Sequence, residues 1–266
     1  VHPAAKILVF DSGLGGLTVL REIVEARPDA DVVYVADDAF FPYGNHSEDA
    51  IVGRVVPLIG DLIAEHAPDI VVIACNTAST LVMSHLRAAY KVPFVGTVPA
   101  VKPACAASKT KQVSVLGTRG TVKREYTQTL IRDFAQSCTV TLVGAPNLAS
   151  MAEAKLGGAA IGDDAILAEI EPCFVPSISG DDLRTDAVVL ACTHYPLLLD
   201  RLTALAPWPV TWIDPAPAIA RRVANLLPPA DDAAARSTAA SMTFTSGRSH
   251  PRAAALSGFF GGRVPA

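Results

Sequence analysis

The sequence predicts an α/β protein made of two similar α/β domains with mainly parallel sheets. Three observations carry that expectation. Short runs of β-branched and apolar residues alternate with helix-period segments along almost the whole chain. One phrase is written twice, Val-Val-Ile-Ala-Cys75-Asn76-Thr77 and Val-Val-Leu-Ala-Cys192-Thr193-His194. A strand, a glycine-rich turn and a cysteine-ended strand also recur in the same order. Continuous apolar runs of this kind read as strands buried on both faces, as parallel strands are.

The elements follow in order. Lys6–Phe10 reads as a strand, leading through a glycine-rich turn into a helix ending near Ala26; Asp31–Ala36 is the next strand. Ser47 is a suitable N-cap, and Glu48 and Asp49 lie where the helix dipole favours acids. Ile51, Val52, Val55, Val56, Ile59, Leu62 and Ile63 keep helical spacing, with a kink expected at Pro57. Ile70–Ala74 is the first cysteine strand, and a helix is expected over Ala78–Tyr90. The stretch from Pro93 to Pro103 is broken by prolines and marks the passage into a second domain. There Gln112–Leu116 and Thr139–Val143 are strands, and Ala187–Ala191 is the second cysteine strand. Val210–Ile213 is a further strand, followed by a helix over Pro215–Leu227, a surface loop from Pro228 to Ala240, a strand over Met242–Thr245 and a last helix near Pro251–Phe259. The tail is expected to return to the first domain. The division is therefore residues 1–98 plus 210–266 against 99–209.

Composition excludes several classes. Half of the 266 residues are hydrophobic and 18% are charged, and the mean hydropathy is +0.35, so a disordered or fibrous chain is ruled out. A formal net charge of −4 without a lysine or arginine cluster argues against a nucleic-acid partner. No apolar run approaches the roughly 18 residues of a membrane span, and Ile7–Phe10 is too short for a signal peptide. Cys75, Cys105, Cys138, Cys173 and Cys192 lie far apart, without metal-ligand spacing. That pattern fits a reduced, cytoplasmic protein.

Four places could carry chemistry. Phe10-Asp11-Ser12-Gly13-Leu14-Gly15-Gly16 has Thr18 where a dinucleotide fingerprint needs glycine, and it lacks the Walker pattern. What remains is a turn whose backbone amides can hold a carboxylate or phosphate, with Asp11 at a strand's carboxyl end. Cys75 and Cys192 occupy matching positions; a single such thiol often serves only as a small hydrophobe, whereas two in matching phrases point to function. A base thiol needs a partner to tune it: His194 stands beside Cys192, and Asp11 could assist the other. Pro42-Tyr43-Gly44, and Thr118 and Thr121 around a glycine, are also consistent with plain turns and caps. His46, His66, His85 and His250 lack partner motifs and read as structural or exposed.

Taken together, Phe10–Val19, Pro42-Tyr43-Gly44, Ala74-Cys75-Asn76-Thr77-Ala78 and Ala191-Cys192-Thr193-His194-Tyr195-Pro196 resemble, in order, the signatures of the glutamate racemases, within the cofactor-independent aspartate/glutamate racemase superfamily. The resemblance runs from Ile7 to about Pro196. It implies pseudo-two-fold related domains with the substrate in the cleft between them, and Cys75 and Cys192 as the acid/base thiols. It also implies assisting roles for Asp11, His194 and an acid after the second domain's second strand. Glu153 fits that last place, although Ala154-Lys155 departs from the family's pattern. Ser12, Tyr43, Gly44, Asn76, Thr77, Thr118, Thr121 and Thr193 would hold the substrate with Asp11 and His194. No cofactor, metal, membrane or nucleic acid is implied. A cytoplasmic homodimer is, making D-glutamate for peptidoglycan.

The chemistry is coherent with that resemblance. Inverting an α-carbon needs a base on one face and an acid on the other, with the carbanion stabilised by the substrate ammonium and by donors around its carboxylate. Arg119 is the one arginine among these motifs, so neutral donors are expected to bind the carboxylates. Two rivals are a related racemase or one-cysteine decarboxylase of the superfamily, and a two-domain binding protein without chemistry. Retention of both thiols with His194 speaks against the second.

Overall fold

Residues 4–135, 137–176, 183–229, 236–249 and 253–266 are described by a computed structural model. The β-branched runs become strands, and the 3.6-period segments between them become helices. In chain order the first elements are β1 (Lys6–Asp11), α1 (Leu17–Ala26), β2 (Asp31–Ala36), α2 (Glu48–His66), β3 (Ile70–Ile73), α3 (Asn76–Ala89) and β4 (Phe94–Gly96). Next come α4 (Val101–Ala107), β5 (Gln112–Gly117), α5 (Arg119–Lys123), α6 (Glu125–Phe134), β6 (Thr139–Gly144), α7 (Leu148–Leu156) and α8 (Asp163–Ile170). The series closes with β7 (Ala187–Ala191), α9 (Leu199–Leu205), β8 (Thr211–Ile213), α10 (Ala216–Leu226), β9 (Ala240–Phe244) and a 3-10 segment, Ala253–Phe260.

The chain divides into two units: unit 1 runs to Thr97 and resumes at Ala216, and unit 2 is Val98–Pro215. Unit 1 holds the sheet β4-β3-β1-β2-β9 and unit 2 the sheet β6-β5-β7-β8, every pairing parallel. In each sheet the unit's first strand is flanked by its second strand on one side and the cysteine strand on the other. The α/β class with mainly parallel sheets is therefore as expected.

The domain division needs correction at its second crossing, which lies at 215/216 and not 209/210. Thr211–Ile213 pairs with β7, Val188 opposite Trp212, and so belongs to the unit 2 sheet. The first crossing moves by one residue, to 97/98. β9 begins at Ala240, earlier than the expected Met242, because its register on β2 opens with Val32 opposite Ala240. The last helix is a 3-10 segment from Ala253; Pro251, like His250, lies outside the described residues.

Packing follows the strand alternation. In unit 1, Leu8, Phe10, Val33, Val35, Val71 and Ile73 share one core with Ile51, Val55, Ile59 and Leu62 of α2 and Ala78, Val82 and Leu86 of α3. The Ser47 hydroxyl accepts from the Ala50 amide, so it caps α2. α2 runs through Pro57 as one element. In unit 2, Val113, Val115, Ala187, Val189 and Ala191 pack with Val101, Ala104 and Cys105 of α4. Among the described residues, no helix is long and apolar enough to cross a membrane.

Gly16 is held by close approach. A Cβ at Gly16, the N-cap of α1, would lie 2.7 Å from the Asp11 Cβ and 2.9 Å from the Tyr34 hydroxyl. That hydroxyl is itself held, donating to the Gly13 carbonyl at 2.7 Å. Gly16→Ala is therefore expected to destabilise the protein by about 1–3 kcal/mol through overpacking. A urea midpoint unchanged from wild type would contradict it.

Candidate active site

Parallel sheets gather their chemistry at the carboxyl ends of strands, where the turns into the helices lie. In unit 1, Asp11 is the last residue of β1, Asp37 follows β2, and Cys75 follows β3. In unit 2, Thr118 follows β5 and Cys192 follows β7.

Within unit 1, Asp11 is fully buried. Its Oδ1 accepts from the Gly13 amide at 3.0 Å and from the Ser12 hydroxyl at 3.5 Å. Ser12 Oγ in turn lies 3.6 Å from Cys75 Sγ, so Asp11, Ser12 and Cys75 form a connected polar row. Cys75 is a thiol outside any disulfide, 5% exposed, at the N-cap of α3. The helix begins at Asn76, two residues before the expected Ala78. Asn76 and Thr77 thus stand in its first turn, where unsatisfied amides and the dipole favour an anion. Asn76 is buried, and neither Nδ2 nor Oδ1 has a hydrogen-bond partner among the described residues. A buried amide with both ends unmet costs about 1–3 kcal/mol per group, which a polar ligand would recover.

Tyr43 is buried in a short 3-10 turn, and its hydroxyl donates to Asp37 Oδ2 at 2.5 Å. Burial foremost, then the negative charge of Asp37, push its phenol far above the ordinary value, with smaller contributions from Cys75 and Asp11. Tyr43 therefore stays neutral and is fixed in place; Gly44, next to it, is half-buried. Asp37 belongs to none of the sequence motifs. It also accepts from Arg54 Nη2 at 2.6 Å and from Thr245 Oγ1 at 2.6 Å. Its only sequence signal is an acid just past a strand, the same signal that marked Asp11.

Unit 2 presents a second relay. Cys192 Sγ lies 3.8 Å from His194 Nδ1, and His194 Nε2 lies 2.8 Å from Glu153 Oε1. Cys192 and His194 are buried, 7% and 2% exposed. The carboxylate fixes the imidazole's orientation and leaves its other nitrogen toward the sulfur, the arrangement in which a base is oriented by a third group. Glu153 stands in α7, after β6, so the position given by resemblance is in contact with His194. Tyr195 is buried behind Cys192; burial first, then the charge of Cys192, keep its phenol protonated. The Thr118 hydroxyl accepts from the Thr121 amide at 3.1 Å and lies 3.0 Å from the Thr121 hydroxyl. Thr118 is thus the N-cap of α5. Thr193 is buried between Cys192 and His194.

The other histidines among the described residues take no part in these rows. His46 stacks on Phe40 at 3.7 Å, His66 ends α2 beside Glu65, and His85 is exposed on α3.

Each sheet thus carries, at the end of its cysteine strand, a thiol with a polar partner. The sequence profile described as Asp/Glu/Hydantoin racemase matches residues 7–223. The chain belongs to that racemase family. It is 57% identical over 233 residues to a glutamate racemase of Brucella canis, covering 87% of this chain and 83% of the relative. To one from Rhizobium meliloti it is 59% identical over 223 residues, 84% of this chain and 79% of that protein. Among solved structures, Escherichia coli glutamate racemase, crystallised with L-glutamate and the activator UDP-MurNAc-Ala, superposes with a TM-score of 0.82 at 38% identity, covering 96% of this chain and 92% of that one. Glutamate racemase from Aquifex pyrophilus gives 0.73 at 30% identity, covering 98% and 96%.

Proposed function

We propose that this chain interconverts L- and D-glutamate without a cofactor, using Cys75 and Cys192 as the two acid/base groups. The observation that carries the reading is the placement of one buried thiol after the corresponding strand of each sheet, each with its own polar row. One thiolate removes the α-proton; the other thiol delivers a proton to the opposite face. Asp11 with Ser12 serves Cys75, and Glu153 through His194 serves Cys192. The Asn76 amide, the first-turn amides of α3, and the hydroxyls of Thr77, Thr118, Thr121 and Thr193 supply neutral donors to the substrate carboxylates, with Tyr43 and Gly44 completing its surroundings. The relatives' names support glutamate as substrate. In this reading the product supplies peptidoglycan synthesis, and the enzyme is a cytoplasmic homodimer.

Circular dichroism on each pure enantiomer, with no cofactor added, tests this directly. Both signals are expected to decay to zero, and aspartate to turn over more slowly. Persistence of both glutamate signals would leave only a binding role.

Glu153 is a positioning residue in this scheme, and it has its own test. Glu153→Gln keeps a hydrogen-bond partner for His194 but loses the charge that stabilises an imidazolium. The expected result is a fall in kcat/KM of about tenfold, at the weak end of what acid/base assistance supplies. The fall must be equal for both enantiomers, because racemisation has an equilibrium constant of one. Wild-type kcat/KM with an unshifted pH profile would remove Glu153 from the mechanism.

A further inference from the structure

Three cysteines have no part in that scheme, and two of them meet. Cys105 is buried in α4, 5% exposed, whereas Cys138, just before β6, is partly exposed. Cys138 Sγ lies 3.8 Å from the Cys105 carbonyl oxygen, and Lys111 Nζ donates to that same oxygen at 3.0 Å. The backbone fixes this meeting, since the Thr139 amide donates to the Lys111 carbonyl at 2.8 Å. The Cys105 and Cys138 side chains both belong to one apolar cluster. Two thiols and an ammonium thus converge at the start of an edge strand. Cys173 differs: it is fully buried, and burial pushes its thiol up to about 12.

We propose that Cys105 and Cys138 are a modification site, a dithiol that a hydroperoxide converts reversibly into an intramolecular disulfide. Cys138 is the thiol that reacts first, because it is the one solvent reaches. Its thiolate attacks one peroxide oxygen; the S–O bond forms, the O–O bond breaks, and with hydrogen peroxide the other oxygen leaves as water. Cys105 then attacks the sulfenic sulfur, forming the S–S bond, and the sulfenic oxygen leaves as a second water with the Cys105 proton. Two thiols lose two electrons and two protons, and one peroxide becomes two waters. A thiol reductant reverses the step by disulfide exchange. Cys105 is the resolving partner: burial first, then the neighbouring Cys138, push its thiol up to about 12, with Lys111 opposing.

The disulfide would tie α4 to the start of β6 across a separation of 33 residues. Closing such a loop restricts the unfolded chain, so the oxidised protein is expected to melt higher by roughly 5 °C.

The test is non-reducing peptide mapping of the full chain after titration with hydrogen peroxide. The readout is independent of catalysis, so it stands apart from the fate of the glutamate reading. In the wild type, a Cys105–Cys138 cross-linked peptide should accumulate and vanish on adding dithiothreitol. Cys105→Ser should leave Cys138 as a sulfenic acid captured by dimedone, and Cys138→Ser should leave Cys105 unmodified; circular dichroism checks that both variants fold, and Cys138→Ala provides a second replacement at the exposed site. Oxidation of Cys138 to sulfinic acid without any cross-link would overturn the proposal. So would peroxide consumption that leaves Cys138 a free thiol, or equal Cys105 oxidation with and without Cys138.

Discussion

Replacing Cys75 or Cys192 by serine should lower racemisation by about a hundredfold to ten-thousandfold, the range that a positioned acid/base group supplies. A serine hydroxyl is far weaker as an acid than a thiol, so one of the two proton transfers fails whichever enantiomer is supplied. Both directions therefore collapse in either variant. A finer signature lies in the proton's origin. In heavy water the waiting thiol carries a solvent deuteron, so early product from L-glutamate should hold deuterium at the α-carbon while unreacted L-glutamate remains protiated. A single shared base would return its proton to either face and label both pools together. In each serine variant, exchange without inversion should survive only for the enantiomer facing the remaining thiol. NMR of the α-proton with chiral separation at low conversion reads all of this. Equal early labelling of both pools would falsify the two-thiol mechanism.

The second large effect concerns stability. Asp37 is fully buried and receives Tyr43, Arg54 through two nitrogens, and Thr245. Asp37→Ala would leave two hydroxyls and a guanidinium without their acceptor. Breaking a buried charged network costs about 3–5 kcal/mol, and the partial exposure of Arg54 places the expected loss near the lower figure, about 3 kcal/mol. Acid dependence gives an independent check. Burial alone would push the Asp37 carboxyl up, but the donors from Arg54, Thr245 and Tyr43 outweigh it and hold the group below the usual carboxylate value. The folded state therefore binds this proton less readily than the unfolded chain does. Its stabilisation is fully present above the ordinary pKa near 4 and disappears as pH falls through the lower folded value. Urea unfolding at pH 7 and at successively lower pH should show Asp37→Ala less stable at neutrality and less sensitive to acid. A variant as stable as wild type at pH 7 would contradict the assignment.

The contrast between Asp37 and the thiols shows what the sequence makes legible. Strand and cysteine share one local phrase, so Cys75 and Cys192 could be placed at strand ends from hydrophobic patterning alone. Ser12 and His194 stand within the same turns as Asp11 and Cys192, and local chemistry was enough to connect those pairs. Asp37 has two of its partners 17 and 208 residues away, at Arg54 and Thr245, and no periodicity reports such contacts. Glu153, 41 residues from His194, was reached by resemblance and not by pattern. β8 reads as a strand from its residues, but three residues say nothing about which sheet they join, and the pairing with β7 is decided by the fold. Cys138 looked isolated because its neighbours are brought in by the fold of unit 2.

The position of β9 sets a timetable for the chain as it is made. β9 pairs with β2, and the Asp37–Thr245 contact that follows this pairing spans 208 residues. At about 5–20 residues per second, a ribosome needs roughly 10–40 seconds to cover that distance. For that interval β2 is an open edge, carrying Val32, Val33, Tyr34 and Val35, a composition suited to pairing with another chain. All of Val98–Pro215 emerges meanwhile and contains its own complete sheet. Newborn chains are thus most exposed to mispairing after their second strand is made and before their ninth arrives.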